Sequence, residues 1–367
     1  MATITMNDTL NNEMKLISKN EYRSILRKYL SSEDFSPDTK EFLRYFSLIA
    51  FYLLGIYSVL NLEFLAVKIL VSIFMGIALT SLTFFLHDLM HGAVIKSKKI
   101  TYLTGLSIGI LNFFPPLFWQ RTHNFHHART GNTDDPDRMY IWAEKPKNSF
   151  EKFLYRLRIS QDSYNAFFSL IGLSFGFLSH FSILFYSLLQ KEPKGSQYQG
   201  IHKLLKTKEM IIVFGEMLLI FLFQGFLFTA IAKYNFLNYF LVSLLPVLIA
   251  HFTTMLYIHT NHFLSPLTDE IDDPLINSLS LKNSWIVDKM FLNFSHHVEH
   301  HLFPAMSSSH YPKIRKLLLE LYPKRFQLIP MIDAVKLLCT TPRIYADNTH
   351  LVNYDKSKPF TCLLPKE

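Results

Sequence analysis

The chain has 367 residues, of which 49% are hydrophobic and 18% charged, and its formal net charge is +8 with histidine counted as neutral. With 12 glycines and 16 prolines it is not a collagen-like or low-complexity chain, and its apolar content is the opposite of a disordered segment. Its 2 cysteines, Cys339 and Cys362, are too few for a four-cysteine zinc or iron–sulfur site or for a disulfide framework. The class of protein must therefore be inferred from the 16 histidines and the long apolar runs.

Residues 1–20 are polar and lack the apolar core of a signal peptide. Further along, four apolar runs approach the ~20 residues that cross a ~30 Å hydrocarbon layer. The runs are 42–60, 65–86, 210–232 and 236–258. Because only short links join the first run to the second and the third to the fourth, they predict two antiparallel hairpins of membrane-spanning helices.

Two further apolar runs are ambiguous. Residues 100–118 contain glycines and the Pro115–Pro116 pair, and residues 165–189 contain glycines, serines and His180. Each run could span the membrane, re-enter it or lie along its surface.

The positive charges predict the orientation. If only the four clear runs span, 2 of the 37 lysines and arginines, Lys68 and Lys233, lie on the side of the hairpin turns. The positive-inside rule then places the opposite side, with both termini, in the cytoplasm. We therefore expect an all-α, multi-pass integral membrane protein with a cytoplasmic N-terminal segment (1–40), a membrane domain (41–310) and a cytoplasmic helical cap (311–367). Basic cytoplasmic segments account for the net charge, so no nucleic-acid partner is needed to explain it.

Three short histidine clusters follow this topology: HDLMH (87–91), HNFHH (123–127) and HVEHH (297–301). Spacings of three and four residues put the rings on one helix face, and the predicted spans bring all three clusters to the same side of the membrane. Protonated rings so placed would repel each other, whereas neutral imidazoles bind metal. Eight such histidines exceed the four ligands of a tetrahedral zinc, which favours two metals, and iron accepts imidazole and can activate O₂. The eight are His87, His91, His123, His126, His127, His297, His300 and His301.

The clusters, in this order around paired hairpins, resemble the histidine boxes of integral-membrane fatty acid desaturases, whose superfamily includes hydroxylases and ketolases. The resemblance covers roughly residues 40–320, and GNTDDPD (131–137) and HHLFP (300–304) are similar to acyl-lipid desaturases. It implies a four-helix membrane fold with interfacial or re-entrant helices and a dimetal site of two iron ions on the cytoplasmic side. The eight box histidines would be ligands, and His262, at the end of the fourth run, would be the ninth.

Other polar residues near the boxes remain open. His259 lies one helical turn from His262 and could ligate a metal or hold a water, and His296 is adjacent to the third box or behind its ligands. Asp88 could orient a ligand imidazole or be a solvated helix-end carboxylate. His251, deeper in the fourth run, is expected to be a buried polar group with a local partner. The carboxylates of GNTDDPD could form a turn or lie behind the ligands; they are Asp134, Asp135 and Asp137.

The resemblance implies an O₂-dependent desaturase that introduces a cis double bond into a fatty acyl chain, carried by a lipid in preference to coenzyme A. Two electrons per turnover would come from a separate donor such as ferredoxin or cytochrome b5, since the sequence lacks the HPGG motif of a fused cytochrome b5. A hydroxylase or ketolase of the same superfamily is the first alternative. A membrane zinc hydrolase or transporter is more distant, although His296, Glu299 and His300 match the HxxEH pattern. A binding or scaffold protein would not need the boxes at all.

Overall fold

The computed structural model describes residues 15–138, 148–163, 165–175, 177–191, 204–232, 235–269, 271–353 and 359–365. Residues 1–14 of the predicted N-terminal segment lie outside the described residues. In chain order the described helices are α1 (Lys19–Leu26), α2 (Glu41–Asn61), α3 (Leu65–Met90), α4 (Lys98–Asn112), α5 (Pro116–Arg129), α6 (Ser149–Arg156), α7 (Ala166–Ser174), α8 (Phe177–Leu189), α9 (Thr207–Ala232), α10 (Phe236–Tyr239), α11 (Leu245–His262), α12 (Pro274–Asn277), α13 (Trp285–Met290), α14 (His297–Leu302), α15 (Tyr311–Leu321) and α16 (Met331–Thr340).

Four of these segments are long and apolar enough to cross a membrane, as the sequence predicts. They are α2, α3, α9 and a continuous rod over 236–262, in which the π-helical turn Phe240–Leu244 joins α10 to α11. Two helices continue past the ends predicted at residues 86 and 258: α3 extends to Met90, and the rod extends to His262. The first histidine box therefore begins inside the second span.

The second and fourth spans form the centre of the bundle. In their most apolar stretches 67% and 44% of the residues are buried, against 17% and 22% in the first and third spans. Gly76 allows the close approach, since a Cβ there would lie 2.6 Å from Cβ of Ile249. The outer spans leave large apolar side chains exposed, such as Phe214 at 65% and Phe226 at 67%. Such faces are suited to contact with lipid.

The run 100–118 is a broken helix. Its two parts, α4 and α5, meet at an angle of 100°. Phe113 ends α4 with a left-handed φ of 61°, and Pro116 begins α5, where its missing N–H costs nothing. The run 165–189 is likewise divided, into α7 and α8. In the run 100–118, which the sequence left open, the break coincides with the Pro115–Pro116 pair, because a proline pair cannot continue a helix.

Short strands connect the C-terminal segment to the region before the third box. Strands β1 (Ser280–Lys282) and β2 (Leu328–Pro330) pair in parallel, with Leu281 opposite Ile329. Strands β3 (Ile344–Tyr345), β4 (His350–Val352) and β5 (Phe360–Thr361) form a small antiparallel sheet. Helix α15 lies between β1 and β2 in sequence and packs against α14, and α16 lies between β2 and β3 and packs against α11.

Candidate metal centre

Four helix segments bring nine histidines together. The first box lies at the C-terminal end of α3, the second on α5, the third on α14, and His262 ends α11. Two groups form, in each of which the ring nitrogens lie within 4.8 Å of one another. The first group is His87, His91, His123, His127 and His300; the second is His126, His262, His297 and His301. These are the nine histidines that the sequence predicts as ligands.

In the first group the Nε2 atoms converge. His123 Nε2 lies 2.9 Å from His91 Nε2 and 3.0 Å from His127 Nε2, which in turn lies 3.0 Å from His300 Nε2. A ring nitrogen offers either one proton or one lone pair, so it can satisfy only one of two such contacts. Within the described residues, Nε2 of His87 is also buried without a hydrogen-bond partner. A cation would accept all these lone pairs at once, so the donor set fits a metal.

The second group repeats the pattern. His297 Nε2 lies 2.7 Å from His262 Nε2 and 3.1 Å from His301 Nε2, which lies 3.3 Å from His126 Nε2. All four side chains are buried. Five and four nitrogen donors could hold two ions, with room for further ligands on octahedral iron.

Several rings carry a polar partner on their other nitrogen. His126 Nδ1 lies 2.6 Å from Asp135 Oδ1, and His87 Nδ1 lies 3.1 Å from Asp88 Oδ1. Nδ1 of His300 faces the hydroxyl of Tyr311 at 2.9 Å. Such contacts fix the ring orientation and leave Nε2 free to bind metal. Sequence reasoning had no signal for Tyr311, which follows the third box by ten residues.

The GNTDDPD segment is both a turn and a support for the site. Asp135 is fully buried and also accepts a hydrogen bond from the backbone N–H of Asp137 at 2.9 Å. Asp137 Oδ2 lies 3.6 Å from His126 Nδ1, whereas Asp134 faces away and pairs with Arg129. The sequence left open whether these carboxylates form a turn or lie behind the ligands. Asp134 fits the turn, whereas Asp135 and Asp137 lie behind His126.

Burial keeps the third box uncharged. Removal from water, together with the neighbouring imidazoles, holds the pKa of His297, His300 and His301 well below its usual range. Neutral imidazole is the form that binds metal. Burial also raises the pKa of Tyr311 well above its usual range, so its hydroxyl stays protonated beside His300.

Three residues singled out by the sequence lie outside both groups. His259 stacks on Phe263, with ring centroids 4.1 Å apart, and His296 Nδ1 lies 3.1 Å from the hydroxyl of Ser295. Glu299 is buried and paired with Arg315 at 2.6 Å, and it also contacts Ser280. A zinc peptidase of the HxxEH type needs this glutamate beside a metal-bound water, so its ion pair argues against that alternative.

An apolar cavity adjoins the histidines. It lies between α3, the α4–α5 break, α8 and α11, and its walls include Phe114, Phe118, Leu184 and Met255. A smaller neighbouring cavity shares Thr83, Trp119, Thr254 and Ile258 with it and reaches His87, His123 and His297. The combined space runs from the membrane interior to both histidine groups.

The family model named fatty acid desaturase matches residues 63–332, which include every histidine of the two groups. This chain belongs to the fatty acid desaturase family. The match confirms the resemblance inferred from the boxes and covers most of the range expected for it.

Two curated relatives are also desaturases by name. A fatty acid desaturase of Bacillus subtilis (strain 168) is 33% identical over 84 residues, which are 22% of this chain and 24% of the relative. The omega-6 fatty acid desaturase, endoplasmic reticulum isozyme 1, of Glycine max is 24% identical over 244 residues, 64% of this chain and 61% of the relative. The alignments therefore span less than two thirds of either relative's own length.

Proposed function

We propose that this member of the fatty acid desaturase family is an O₂-dependent fatty acyl desaturase that introduces a cis double bond at a histidine-ligated diiron centre. The observation that carries the proposal is the convergence of nine imidazoles into groups of five and four beside an apolar cavity. When bound there, iron would supply the activation of O₂ that removal of hydrogen from an unactivated methylene requires.

The protein's own contribution is to position the ligands and the substrate. Asp135, Asp88 and Tyr311 orient rings of the two groups, and the surrounding burial keeps water out. The acyl chain would lie in the apolar cavity, with Trp119 and Ile258 at the point where the two cavities join. Holding one segment of the acyl chain against the metals would restrict the reaction to neighbouring carbons of that segment.

We further infer that the acyl group is carried by a lipid and that a separate ferredoxin or cytochrome b5 supplies the electrons. The similarity of GNTDDPD (131–137) and HHLFP (300–304) to acyl-lipid desaturases supports the acyl-lipid assignment. The basic net charge of +8 suits an acidic donor at the face that carries the metal centre, which we assign to the cytoplasm.

A fatty-acid profile of cells that express the chain tests this function. We expect new cis-unsaturated fatty acids with the wild-type chain, loss of these products with His127→Ala, and retention with His350→Ala. His350 is the matched control because it lies on β4 beside Asp347, outside both groups. A hydroxylated product without an unsaturated one would instead support the hydroxylase. Two zinc and no iron in protein purified from iron-replete medium would contradict the diiron centre.

A further inference from the structure

The break between α4 and α5 leaves backbone groups that neither helix can pair. A helix end has carbonyls or N–H groups without an intrahelical partner, and in a membrane interior such groups are tolerated only where other protein groups satisfy them. At this break the carbonyls of Ile110 and Asn112 end α4, and the N–H of Leu117 opens α5. Each of these three backbone groups forms a hydrogen bond with a side chain of the third or fourth span.

The third span supplies two of these side chains. Glu216 is buried, and its Oε2 accepts the N–H of Leu117 at 3.2 Å. Gln224 Nε2 donates to the carbonyl of Ile110 at 3.4 Å, while its Oε1 accepts the hydroxyl of Ser243 at 2.8 Å. Because a carbonyl can only accept, the contact with Ile110 requires the amide nitrogen of Gln224 to face the break.

The fourth span supplies the remaining side chain. His251 Nε2 lies 3.0 Å from the carbonyl oxygen of Asn112 and donates to it, since a carbonyl can only accept. His251 therefore has the local partner that the sequence predicts.

The polar residues of the third span lie on one face. Glu209, Glu216 and Gln224 are spaced by seven and eight residues, which at ~100° per residue keeps them within ~80° of one another. The first of them forms an ion pair with Arg121 of α5. The rest of α9 is almost wholly apolar, so its polar side chains are concentrated where the broken helix lies. Ionisable groups in a membrane helix are costly and are retained for a role.

We propose that Glu216, Gln224 and His251 form a clamp that fixes the break between the end of α4 and the start of α5, and thereby positions the second histidine box. The inference rests on the proposed metal role of that box. Because α5 supplies His123 and His127 to one group and His126 to the other, a shift of α5 displaces donors of both metals together. Glu216 is thus a positioning residue for the whole centre, although it contacts no histidine of either group.

Metal retention in the purified full-length chain tests the clamp. Iron per chain and the rate of iron transfer to a ferrous chelator are measured for the wild type, Glu216→Leu and Glu216→Gln. Glu216→Leu is expected to release both ions about tenfold faster, which corresponds to the low end of the loss of metal affinity seen when a direct partner of a ligand is removed. Glu216→Gln keeps an acceptor for Leu117 N–H and should retain metal as the wild type does.

Gly215→Ala is the matched control, because a Cβ there meets no described atom within 4 Å. Equal metal retention in Glu216→Leu and Gly215→Ala overturns the proposal, as does failure of Glu216→Gln to rescue. If Glu216→Leu does not accumulate in membranes, Gln224→Leu is compared with Gly225→Ala in the same assay. Faster metal release from Gln224→Leu supports the clamp, and equal release overturns it. The readout is independent of the reaction: if the wild type carries zinc, the diiron proposal fails while the clamp is tested on zinc release.

Discussion

Asp135 orients one of the rings of the candidate metal centre, that of His126. Its carboxylate lies 2.6 Å from Nδ1 of His126, is fully buried, and also accepts backbone N–H groups of the 131–137 turn. The carboxylate holds the ring so that Nε2 faces the second group, and its charge makes that nitrogen a better donor. The same logic applies, through a hydroxyl, to Tyr311 behind His300.

Replacing Asp135 with asparagine keeps the shape and removes the charge. We expect Asp135→Asn to weaken metal binding at the second group about tenfold, with a parallel loss of product. Iron retained after equilibration with graded chelator measures the change. Asp134→Asn is the control, because Asp134 faces away and pairs with the half-exposed Arg129. If the two variants retain iron equally, Asp135 does not orient a ligand.

At the scale of elements, α15 holds the third histidine box in place. Arg315 pairs with the buried Glu299 of α14 at 2.6 Å and donates to the carbonyls of Leu281 and Ser295, both at 3.1 Å. One guanidinium thus ties together β1, the residues before the box and the box helix. Helix α15 follows the third box in sequence, and through Arg315 it holds the box helix against β1.

Removing this guanidinium should destabilise the cap. Arg315→Met leaves Glu299 buried without its counter-ion, which costs ~3–5 kcal/mol of unfolding free energy for a buried pair. Lys316→Met, one residue along, breaks only an exposed 4.0 Å contact with Glu320 and should cost under ~1 kcal/mol. Heat unfolding of the two purified variants in the same detergent measures the contrast. Similar midpoints would mean that Glu299 is satisfied without Arg315.

In the whole molecule the starts of the second and fourth spans and the histidine groups lie at opposite ends of the bundle. Lys68 of α3 reaches Asn238 of α10 at 3.2 Å, so the start of α3 and α10 lie at the same end of the bundle. The histidine groups lie at the opposite ends of α3 and α11. This arrangement is what the positive-inside prediction requires, and it leaves the absolute orientation to experiment.

Labelling of single cysteines tests the orientation. In a Cys339→Ser, Cys362→Ser background, Glu63→Cys at the first hairpin turn should react with an impermeant maleimide on intact cells. Lys316→Cys, at a side chain 79% exposed on α15, should react only after lysis. Both positions are exposed, so access differs only by the membrane. The inverse labelling pattern would place the metal centre on the external face.

From the sequence alone the four spans and the candidate ligands could be predicted, whereas the course of the run 100–118 stayed open. Span length and apolar content are local properties, as is the inability of Pro115–Pro116 to continue a helix. The histidines could be recognised because helical spacing repeats in three separate boxes. The supports behind them, such as Tyr311 and Arg315, carry no local pattern and emerge only from packing.

The division of the histidines into two groups depends on the packing of the helices. His126 and His127 are neighbours in sequence, as are His300 and His301, yet each pair is split between the two groups. Adjacent residues on a helix point ~100° apart, so one box placed between two centres contributes to both. Which ring joins which group depends on how α3, α5, α11 and α14 are oriented against each other, and that orientation is set by contacts between residues more than 100 positions apart, such as His127 with His300.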